Sequence, residues 1–403
     1  MRIGRTQPPT AAPITFRDLC HGVAGLFTSE RSLRALEGEI RRRLGARHVQ
    51  LVSSGTAALT VALSALKARS TATEVVIPAY TCPSVPAAVV KAGLTPVPCD
   101  ISATTFDFDW RVLPGLLTRR TLCVVAHHLF GIASDIDRLR AVCSPRGISV
   151  VEDAAQALGL TSNGRFLGTL GDVGVCSFGR GKHVTCGAGG AVVTNSDEIA
   201  ELIRLECETL PRASRLRTLR NFATVAFMTI FIRPTLFWIP AAMPFLRLGQ
   251  TEYPKSIALE RLAGVNAAML RTWAARLKQA NRRRAEISSA ISKRLGLALP
   301  HGPSHPYLRL PILVATPELR DRIYRTSRRL GLGLSRAYPA PITEIPELAP
   351  RFAGRRYPVA RLVADHLLTM PTHQWLTWSD VDAIAGCVWS AAAPVQMVTA
   401  RRA

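Results

Sequence analysis

The chain has 403 residues and a mass of 43.7 kDa, which exceeds a usual single domain and requires a large core or two packed domains. Hydrophobic residues make up 48% and charged residues 20%, which excludes a mainly disordered or collagen-like chain. The formal net charge is +23 and the mean hydropathy is +0.16, so the chain should attract anions although it is unusually apolar for a basic protein.

The N-terminal residues 1–14 are basic and lack the apolar stretch of a secretory signal, so they are predicted to form a flexible arm. The chain contains nine cysteines without a C-x-x-C pair or metal-finger spacing. This pattern favours a reduced, cytoplasmic protein without a metal site.

Residues 15–254 are predicted to form a large α/β domain. Seven short apolar runs alternate with helical stretches, and they begin at Val49, Val75, Pro96, Leu122, Ile148, Val173 and Gly190. Runs that are apolar on both faces are typical of strands covered by helices on each side. We therefore expect a mostly parallel seven-stranded sheet.

A long apolar segment, residues 221–246, interrupts the α/β rhythm near the end of this domain. Arg233 and Pro234 divide it into two arms that are too short to span a membrane. Residues 255–403 are predicted to form a smaller C-terminal α/β domain. It would begin with one long basic helix over 257–295, and its three consecutive arginines at 282–284 are interpreted as a solvated helix face.

The stretch from Ser177 to Gly190 is the most informative for chemistry. It contains one lysine, Lys182, which follows Ser177 by five residues and precedes a glycine-rich turn. A lysine that forms a Schiff base needs a tight loop that brings its amine to a bound aldehyde. Lys182 is therefore the candidate for covalent binding of such a group.

Two other segments complete a possible pyridoxal phosphate site. Asp153 ends an apolar strand, where α/β folds place ligand groups, and a carboxylate there would keep the pyridine nitrogen protonated. Residues 51–59 are predicted to be a strand, a Ser-Gly-Thr turn and a helix start, whose N–H groups bind phosphate well. Gly55, Thr56 and the Ser177 hydroxyl are the phosphate candidates.

The order and spacing of these segments resemble the DegT/StrS family of pyridoxal-phosphate-dependent sugar aminotransferases, which has the aspartate aminotransferase fold. The similarity runs from about residue 20 to residue 390, and its segments begin at Ser53, Val76, His128, Val151, Ser177, Ala337 and Met370. The resemblance implies a large domain that binds pyridoxal 5′-phosphate, a smaller C-terminal domain and a homodimer in which both chains contribute to each site.

The resemblance also implies individual roles. Lys182 would bind the cofactor as a Schiff base and move a proton, Asp153 would pair with the ring nitrogen, and Gln156 would contact the phenolic oxygen. Lys182 and Asp153 are thus the expected catalytic residues. The complete set expected to bind cofactor is Ser54, Gly55, Thr56, Cys82, Asp153, Gln156, Ser177 and Lys182.

The chain departs from the family pattern at three places. Cys82 occupies the position where the family commonly stacks an aromatic residue on the ring, so either this thiol packs there or Tyr80 substitutes. Ala188 replaces a glutamate in the turn after the lysine. The family's Gly-Tyr-Asn-Tyr-Arg segment, whose asparagine reaches the partner's phosphate, is not visible.

Three functions are compatible with the sequence. The first is transfer of an amino group from an amino acid, with L-glutamate as the expected donor, to a keto sugar carried by a nucleotide. The second is a pyridoxal-phosphate-dependent sugar dehydratase, although such relatives typically have a histidine at the lysine position. The third is a non-catalytic regulatory protein, and no nucleic-acid-binding motif accompanies the positive charge.

The apolar segment and its basic flanks predict peripheral contact with the anionic inner face of the cytoplasmic membrane through residues 222–246. Arginines precede it at 212, 215, 217 and 220. The alternative is a helical hairpin buried against the large domain or in a dimer interface. For both His128 and Tyr338, the sequence is compatible with a role in the site and with a purely structural role.

Overall fold

The computed structural model describes residues 2–12, 14–246, 248–249 and 251–391. The strands are β1 His48–Val52, β2 Glu74–Pro78, β3 Thr95–Cys99, β4 Thr121–His127, β5 Ser149–Asp153, β6 Thr161–Ser162, β7 Arg165–Phe166, β8 Val173–Ser177, β9 Gly190–Thr194, β10 Arg309–Leu313 and β11 Leu367–Pro371. The helices are α1 Phe16–Ala24, α2 Ser29–Leu44, α3 Gly55–Lys67, α4 Ser84–Lys91, α5 Leu113–Leu116, α6 Ile136–Cys143, α7 Asp197–Thr209, α8 Arg215–Phe231, α9 Pro234–Ala241, α10 Gly264–Met269, α11 Trp273–Leu295, α12 Pro317–Leu330, α13 Pro358–His366 and α14 Trp378–Ala391.

A seven-stranded sheet with the order β1-β9-β8-β5-β4-β2-β3 forms the centre of the large domain. The pairs among β3, β2, β4, β5 and β8 are parallel, whereas β9 is antiparallel to both β8 and β1. All seven apolar runs predicted from the sequence are strands of this sheet. The predicted mostly parallel α/β fold is therefore confirmed.

The carboxyl ends of the parallel strands lie at one edge of this sheet. Asp153 ends β5 and Ser177 ends β8, and these two strands are hydrogen-bonded neighbours. The chain also leaves β1 at this edge, and Ser54 there forms a bridge with Gly189 just before β9. Parallel pairing therefore brings together three segments that are far apart in sequence.

The core of the second domain surrounds the antiparallel pair β10 and β11 and continues to Tyr80 and Phe130 of the large domain. The long helix α11 crosses between the two cores: Trp273 and Leu277 pack with the large domain, whereas Ile287 and Ile291 pack with the small one. Along α11, packing therefore changes from the large-domain core to the core around β10 and β11. Residues 257–295 do not form one helix, because α10 and α11 are separate elements.

Residues 6–8 of the predicted N-terminal arm form hydrogen bonds with distant parts of the chain. Backbone N–H groups of Thr6 and Gln7 donate to the carbonyl oxygens of Pro234 and Gly331 at 2.8 Å each. The His373 ring donates to the Pro8 carbonyl oxygen at 2.9 Å. These hydrogen bonds hold residues 6–8 against the start of α9, the end of α12 and the segment after β11.

The apolar segment 221–246 lies mainly in a helical hairpin, α8 and α9, which we call the α8–α9 hairpin. Arg233 separates the two helices, and Pro234 opens α9. Val225 and Phe237 are buried, whereas Leu216 and Leu219 at the start of α8 are 76% and 66% exposed. Among the described residues, no helix is long and apolar enough to cross a membrane.

Candidate active site

All eight residues predicted to bind cofactor line one cavity of about 500 Å³ at the carboxyl edge of the large sheet. They are Ser54, Gly55, Thr56, Cys82, Asp153, Gln156, Ser177 and Lys182. The cavity also receives Arg309 and Tyr338 from the small domain. The site thus lies between the two domains, where enzymes commonly bind small ligands.

One end of the cavity is the N-terminus of α3. Ser54 caps this helix, since its hydroxyl oxygen accepts from the Ala57 N–H at 3.0 Å. A Cβ atom on Gly55 would lie 2.7 Å from the Ser177 Cβ and 2.9 Å from its hydroxyl oxygen. The absence of a side chain at Gly55 therefore lets a serine hydroxyl approach the helix N-terminus, where exposed N–H groups favour an anion.

Asp153 and Gln156 form another wall. One Asp153 carboxylate oxygen accepts from the Ala155 N–H at 3.0 Å, and its other oxygen has no hydrogen bond from any described residue. The Gln156 amide oxygen accepts from the Phe130 N–H at 3.1 Å, and its Nε2 donates to the Tyr338 hydroxyl at 2.9 Å. The second Nε2 hydrogen remains available to a ligand.

Cys82 and Tyr80, the two alternatives for the ring-stacking position, differ in placement. Cys82 lines the cavity, whereas Tyr80 is fully buried in the core. The Tyr80 hydroxyl donates to the Tyr338 carbonyl oxygen at 3.1 Å. Tyr80 thus positions the segment that carries Tyr338, and burial raises the pKa of Tyr338 well above its usual value.

The loop that carries Lys182 is fixed from beneath by a buried arginine. The Arg284 guanidinium donates to the Asn281 amide oxygen at 2.9 Å and to the His183 carbonyl oxygen at 3.3 Å. Burial lowers the pKa of Arg284 to about 10. Burial and the charge of Arg284 also lower the pKa of His183. The predicted solvated face at 282–284 is therefore wrong for Arg284.

The turn after Lys182 is held by two asparagines. Gly187 and Gly189 have φ angles of +83° and +139°, which favour glycine. Asn221 on α8 and Asn266 on α10 donate to the Cys186 carbonyl oxygen at 2.9 and 3.1 Å. The turn that lacks the family's glutamate is thus fixed by amide hydrogen bonds from outside it.

His128 has a structural place next to the site. It is fully buried and donates from Nε2 to Glu152 at 2.9 Å. Glu152 also accepts from three backbone N–H groups, of Gly168, Leu170 and Gly171. Burial opposes ionisation of Glu152, but His128 and these N–H groups lower its pKa overall. The pair therefore fixes the strand end that presents Asp153.

Arg309 is the main cavity residue that sequence reasoning missed. It begins β10, and its guanidinium makes no ion pair or hydrogen bond with any described residue. Burial lowers the pKa of Arg309, but an arginine side chain remains positively charged at neutral pH. The only sequence signal was a cation at the start of an apolar strand. Arg180 and Glu252 also line the cavity and were not predicted.

These residues fit pyridoxal phosphate. The N-terminus of α3, where Gly55 has no side chain, suits the phosphate. The Asp153 carboxylate, with one oxygen left without a hydrogen bond from the described residues, suits the ring nitrogen, and Lys182 lies in the same cavity. The fold and this cavity together define the class of pyridoxal-phosphate-dependent aminotransferases.

A sequence profile of the DegT/DnrJ/EryC1/StrS aminotransferase family matches residues 22–389, and the chain belongs to this family. Pyridoxal phosphate is accordingly the cofactor.

Individual relatives agree with this assignment. The chain is 36% identical over 165 residues to GDP-perosamine synthase of Vibrio cholerae, a match that covers 41% of this chain and 45% of that protein, so it spans less than half of the relative's length. It is 28% identical over 362 residues, 87% of each protein, to the erythromycin biosynthesis sensory transduction protein EryC1 of Saccharopolyspora erythraea.

Solved structures show the same fold. Helicobacter pylori PseC, an aminotransferase involved in the biosynthesis of pseudoaminic acid, has a TM-score of 0.77 at 18% identity and covers 96% of this chain and 99% of its own. DesV of S. venezuelae has a TM-score of 0.73 at 25% identity and covers 93% of this chain and 94% of its own.

Proposed function

We propose that the protein transfers an amino group from an amino acid, with L-glutamate as the donor, to a keto sugar. This proposal rests on one observation: a single cavity is lined by Lys182, Asp153 and the N-terminus of α3. Membership of the aminotransferase family supports the reaction type. The similarity to relatives such as GDP-perosamine synthase supports a sugar as the acceptor.

Each residue has a distinct task in this proposal. When bound, pyridoxal phosphate supplies an aldehyde that condenses with amines and a ring that accepts electrons. The Lys182 Nζ atom would hold the aldehyde and would carry a proton to and from the substrate carbon. The Asp153 carboxylate holds a proton on the ring nitrogen, which it favours by charge.

The remaining cavity residues bind and orient the cofactor. Ser54 caps α3. The N–H groups of Gly55 and Thr56 would bind the phosphate together with the Ser177 hydroxyl, which lies close to Gly55. The free Nε2 hydrogen of Gln156 donates to the phenolic oxygen.

Cys82 is proposed to pack against the cofactor ring. Its place in the cavity lining and the burial of Tyr80 support the thiol over the tyrosine. A sulfur makes favourable contacts with an aromatic ring.

The donor half-reaction tests this function without knowledge of the sugar. Wild-type protein with bound cofactor should change its visible absorbance when L-glutamate is added and should release 2-oxoglutarate. Lys182→Ala should lose the covalent linkage, which borohydride reduction and peptide mass spectrometry detect. An adduct on another lysine would refute the site. Failure with glutamate, glutamine and aspartate would favour a sugar dehydratase or a regulatory protein.

We also propose a homodimer that contacts the anionic inner face of the cytoplasmic membrane. Phe27, just after α1, is 88% exposed and supports an apolar protein interface. Within residues 222–246, Ile230 and Phe245 are 42% and 76% exposed, and exposed arginines precede the segment at 215, 217 and 220. These features support the membrane contact. Sedimentation measures the dimer. Flotation with anionic vesicles, with and without residues 222–246, tests the membrane contact, and wild-type protein that does not float would refute it.

A further inference from the structure

A second cavity of about 410 Å³ adjoins the cofactor cavity, and we call it the hairpin chamber. The two cavities share Arg180, Gly181, Thr251 and Arg309. A molecule that reaches from Lys182 into the hairpin chamber must therefore pass two arginines. This junction would suit a phosphate or diphosphate group.

The wall of the hairpin chamber is largely apolar. The α8–α9 hairpin and the residues after it contribute Phe227, Met228, Phe231, Phe237, Leu246 and Leu248. The rings of Phe227 and Phe231 are stacked with centroids 4.2 Å apart. These side chains offer hydrocarbon contact and almost no hydrogen bonding.

The hairpin is directly joined to the loop of Lys182. Besides its hydrogen bond to the Cys186 carbonyl oxygen, Asn221 approaches Gly187 so closely that a Cβ there would lie 2.4 Å from the Asn221 amide oxygen. The Val225 side chain would lie 2.5 Å from the same Cβ. The hairpin chamber is consequently a fixed part of the active-site surroundings.

A third cavity of about 530 Å³ continues beyond the hairpin chamber. The two share Pro9, Phe237, Leu248 and Gly249. Met243 and Leu248 line the third cavity and are 36% and 43% exposed, so its rim is apolar and reaches solvent. A chain longer than the hairpin chamber could therefore leave along an apolar path.

We propose that the acceptor sugar is carried on a phosphate-linked hydrocarbon chain, with its phosphate at Arg180 and Arg309 and its hydrocarbon in the hairpin chamber. This inference rests on the proposed aminotransferase function and names the class of its second substrate. The sugar would occupy the cofactor cavity near Lys182. The apolar carrier would run along the α8–α9 hairpin towards the exposed rim.

A nucleoside carrier fits the hairpin chamber less well. Specific binding of a base uses hydrogen-bonding groups aimed at its edge, and a buried base left unpaired is unfavourable. Apart from the two arginines, the polar side chains that the described residues contribute to the wall are Thr10, Thr224 and Thr251. The Thr224 hydroxyl already donates to the Arg220 carbonyl oxygen at 2.8 Å within α8.

Calorimetric titration of the wild-type holoenzyme compares carriers that lack the sugar. The probes are farnesyl diphosphate, dodecyl phosphate below its micelle concentration, uridine diphosphate, guanosine diphosphate and inorganic diphosphate. At least one of the two hydrocarbon probes should bind ten times more tightly than any of the other three. The farnesyl and dodecyl arms distinguish a branched isoprenoid from a straight chain. Equal or tighter binding of either nucleotide would overturn the inference.

Matched variants locate the effect. Met228→Trp should fill the hairpin chamber and weaken hydrocarbon probes at least tenfold while inorganic diphosphate is unaffected. Leu219→Trp is the control. Leu219 lies on the same helix, is 66% exposed and, as far as the described residues show, lines none of the three cavities. This substitution should leave the affinities for all five probes unchanged. Arg309→Met should weaken all five probes.

The donor half-reaction with L-glutamate separates this inference from the proposed function. If wild-type protein reacts with L-glutamate but binds nucleotides as well as farnesyl diphosphate, the carrier inference fails and the aminotransferase function stands. If L-glutamate and other amino donors give no reaction, the proposed function fails regardless of the titrations. Unchanged farnesyl binding in Met228→Trp, with cofactor retained, would place the hydrocarbon outside the hairpin chamber.

Discussion

Gly55→Ala isolates the contact between α3 and Ser177. The φ angle of Gly55 lies outside the positive range, so alanine is allowed by the backbone and only the new Cβ matters. That atom would lie 2.7 Å from the Ser177 Cβ, whereas carbon atoms pack best at about 3.5–4.0 Å. Ser177 and the N-terminus of α3 must therefore move apart by about 1 Å.

Overpacking of this kind costs about 1–3 kcal/mol. Because both contacting segments are proposed to bind the cofactor phosphate, we expect much of this cost in the affinity for pyridoxal phosphate. Every 1.4 kcal/mol is about tenfold, so the dissociation constant should rise about tenfold to a hundredfold. Titration of the cofactor-free protein with pyridoxal phosphate, followed by protein fluorescence, measures it.

Gly386→Ala is the matched control, since Gly386 lies on α14 and a Cβ there would meet nothing within 4 Å. It should leave cofactor affinity unchanged and stabilise the protein by about 0.5–1 kcal/mol, as alanine does in an exposed helix. If Gly55→Ala bound the cofactor within twofold of wild type, the close contact with Ser177 would have no part in phosphate binding.

Three further changes test the supports of the site. Glu152→Ala leaves His128 and three backbone N–H groups without their acceptor, so urea unfolding should show a loss of about 3–5 kcal/mol, and a loss below about 1 kcal/mol would contradict this. Burial lowers the pKa of His127 to about 4, below its unfolded value of about 6.5, so its contribution to stability is complete above pH 6.5 and should disappear as the pH falls towards 4. If the urea concentration at the midpoint of unfolding stayed constant across this pH range, the predicted contribution of neutral His127 to stability would be refuted. Asn221→Ala removes a hydrogen bond to the turn after Lys182 and should increase amide hydrogen exchange at Gly187, whereas exchange unchanged from wild type would show that Asn266 holds the turn alone.

The sheet and the grouping of the candidate cofactor residues in one cavity were predictable because their signals are local. Each strand is a short run buried on both faces, and Lys182 and Asp153 each stand beside a recognisable turn or strand end. Parallel pairing of β5 with β8 then suffices to bring Asp153 close to Ser177.

Other features depend on contacts between distant parts of the chain. Arg284 belongs to three consecutive arginines, yet it is 1% exposed because α11 crosses from one core to the other at this point. Arg309 reaches the cavity only because the small domain closes over it. Helical periodicity does not reveal either placement, since it describes one element at a time.

The apolar segment shows the same limit. Its composition predicts burial of some kind but does not say whether lipid, protein or ligand covers it. The α8–α9 hairpin divides that role: Val225 and Phe237 are buried, Phe227 and Met228 line the hairpin chamber, and Ile230 is 42% exposed. One segment can therefore serve as a domain contact, a cavity wall and an external surface.

The net charge of +23 acts on a substrate at two different ranges. Exposed charges are screened beyond about 8 Å at physiological ionic strength, so most arginines can change only the rate at which an anionic substrate arrives. Arg309 is half-buried at the junction of two cavities, where screening is weaker, and it lacks a carboxylate partner among the described residues. Added salt should therefore slow the association of a phosphate-bearing substrate more than it changes the contribution of Arg309 to binding. The net positive charge of the protein attracts anions of every kind. Arg180 and Arg309 between the two cavities, together with the apolar wall of the hairpin chamber, determine which anions bind.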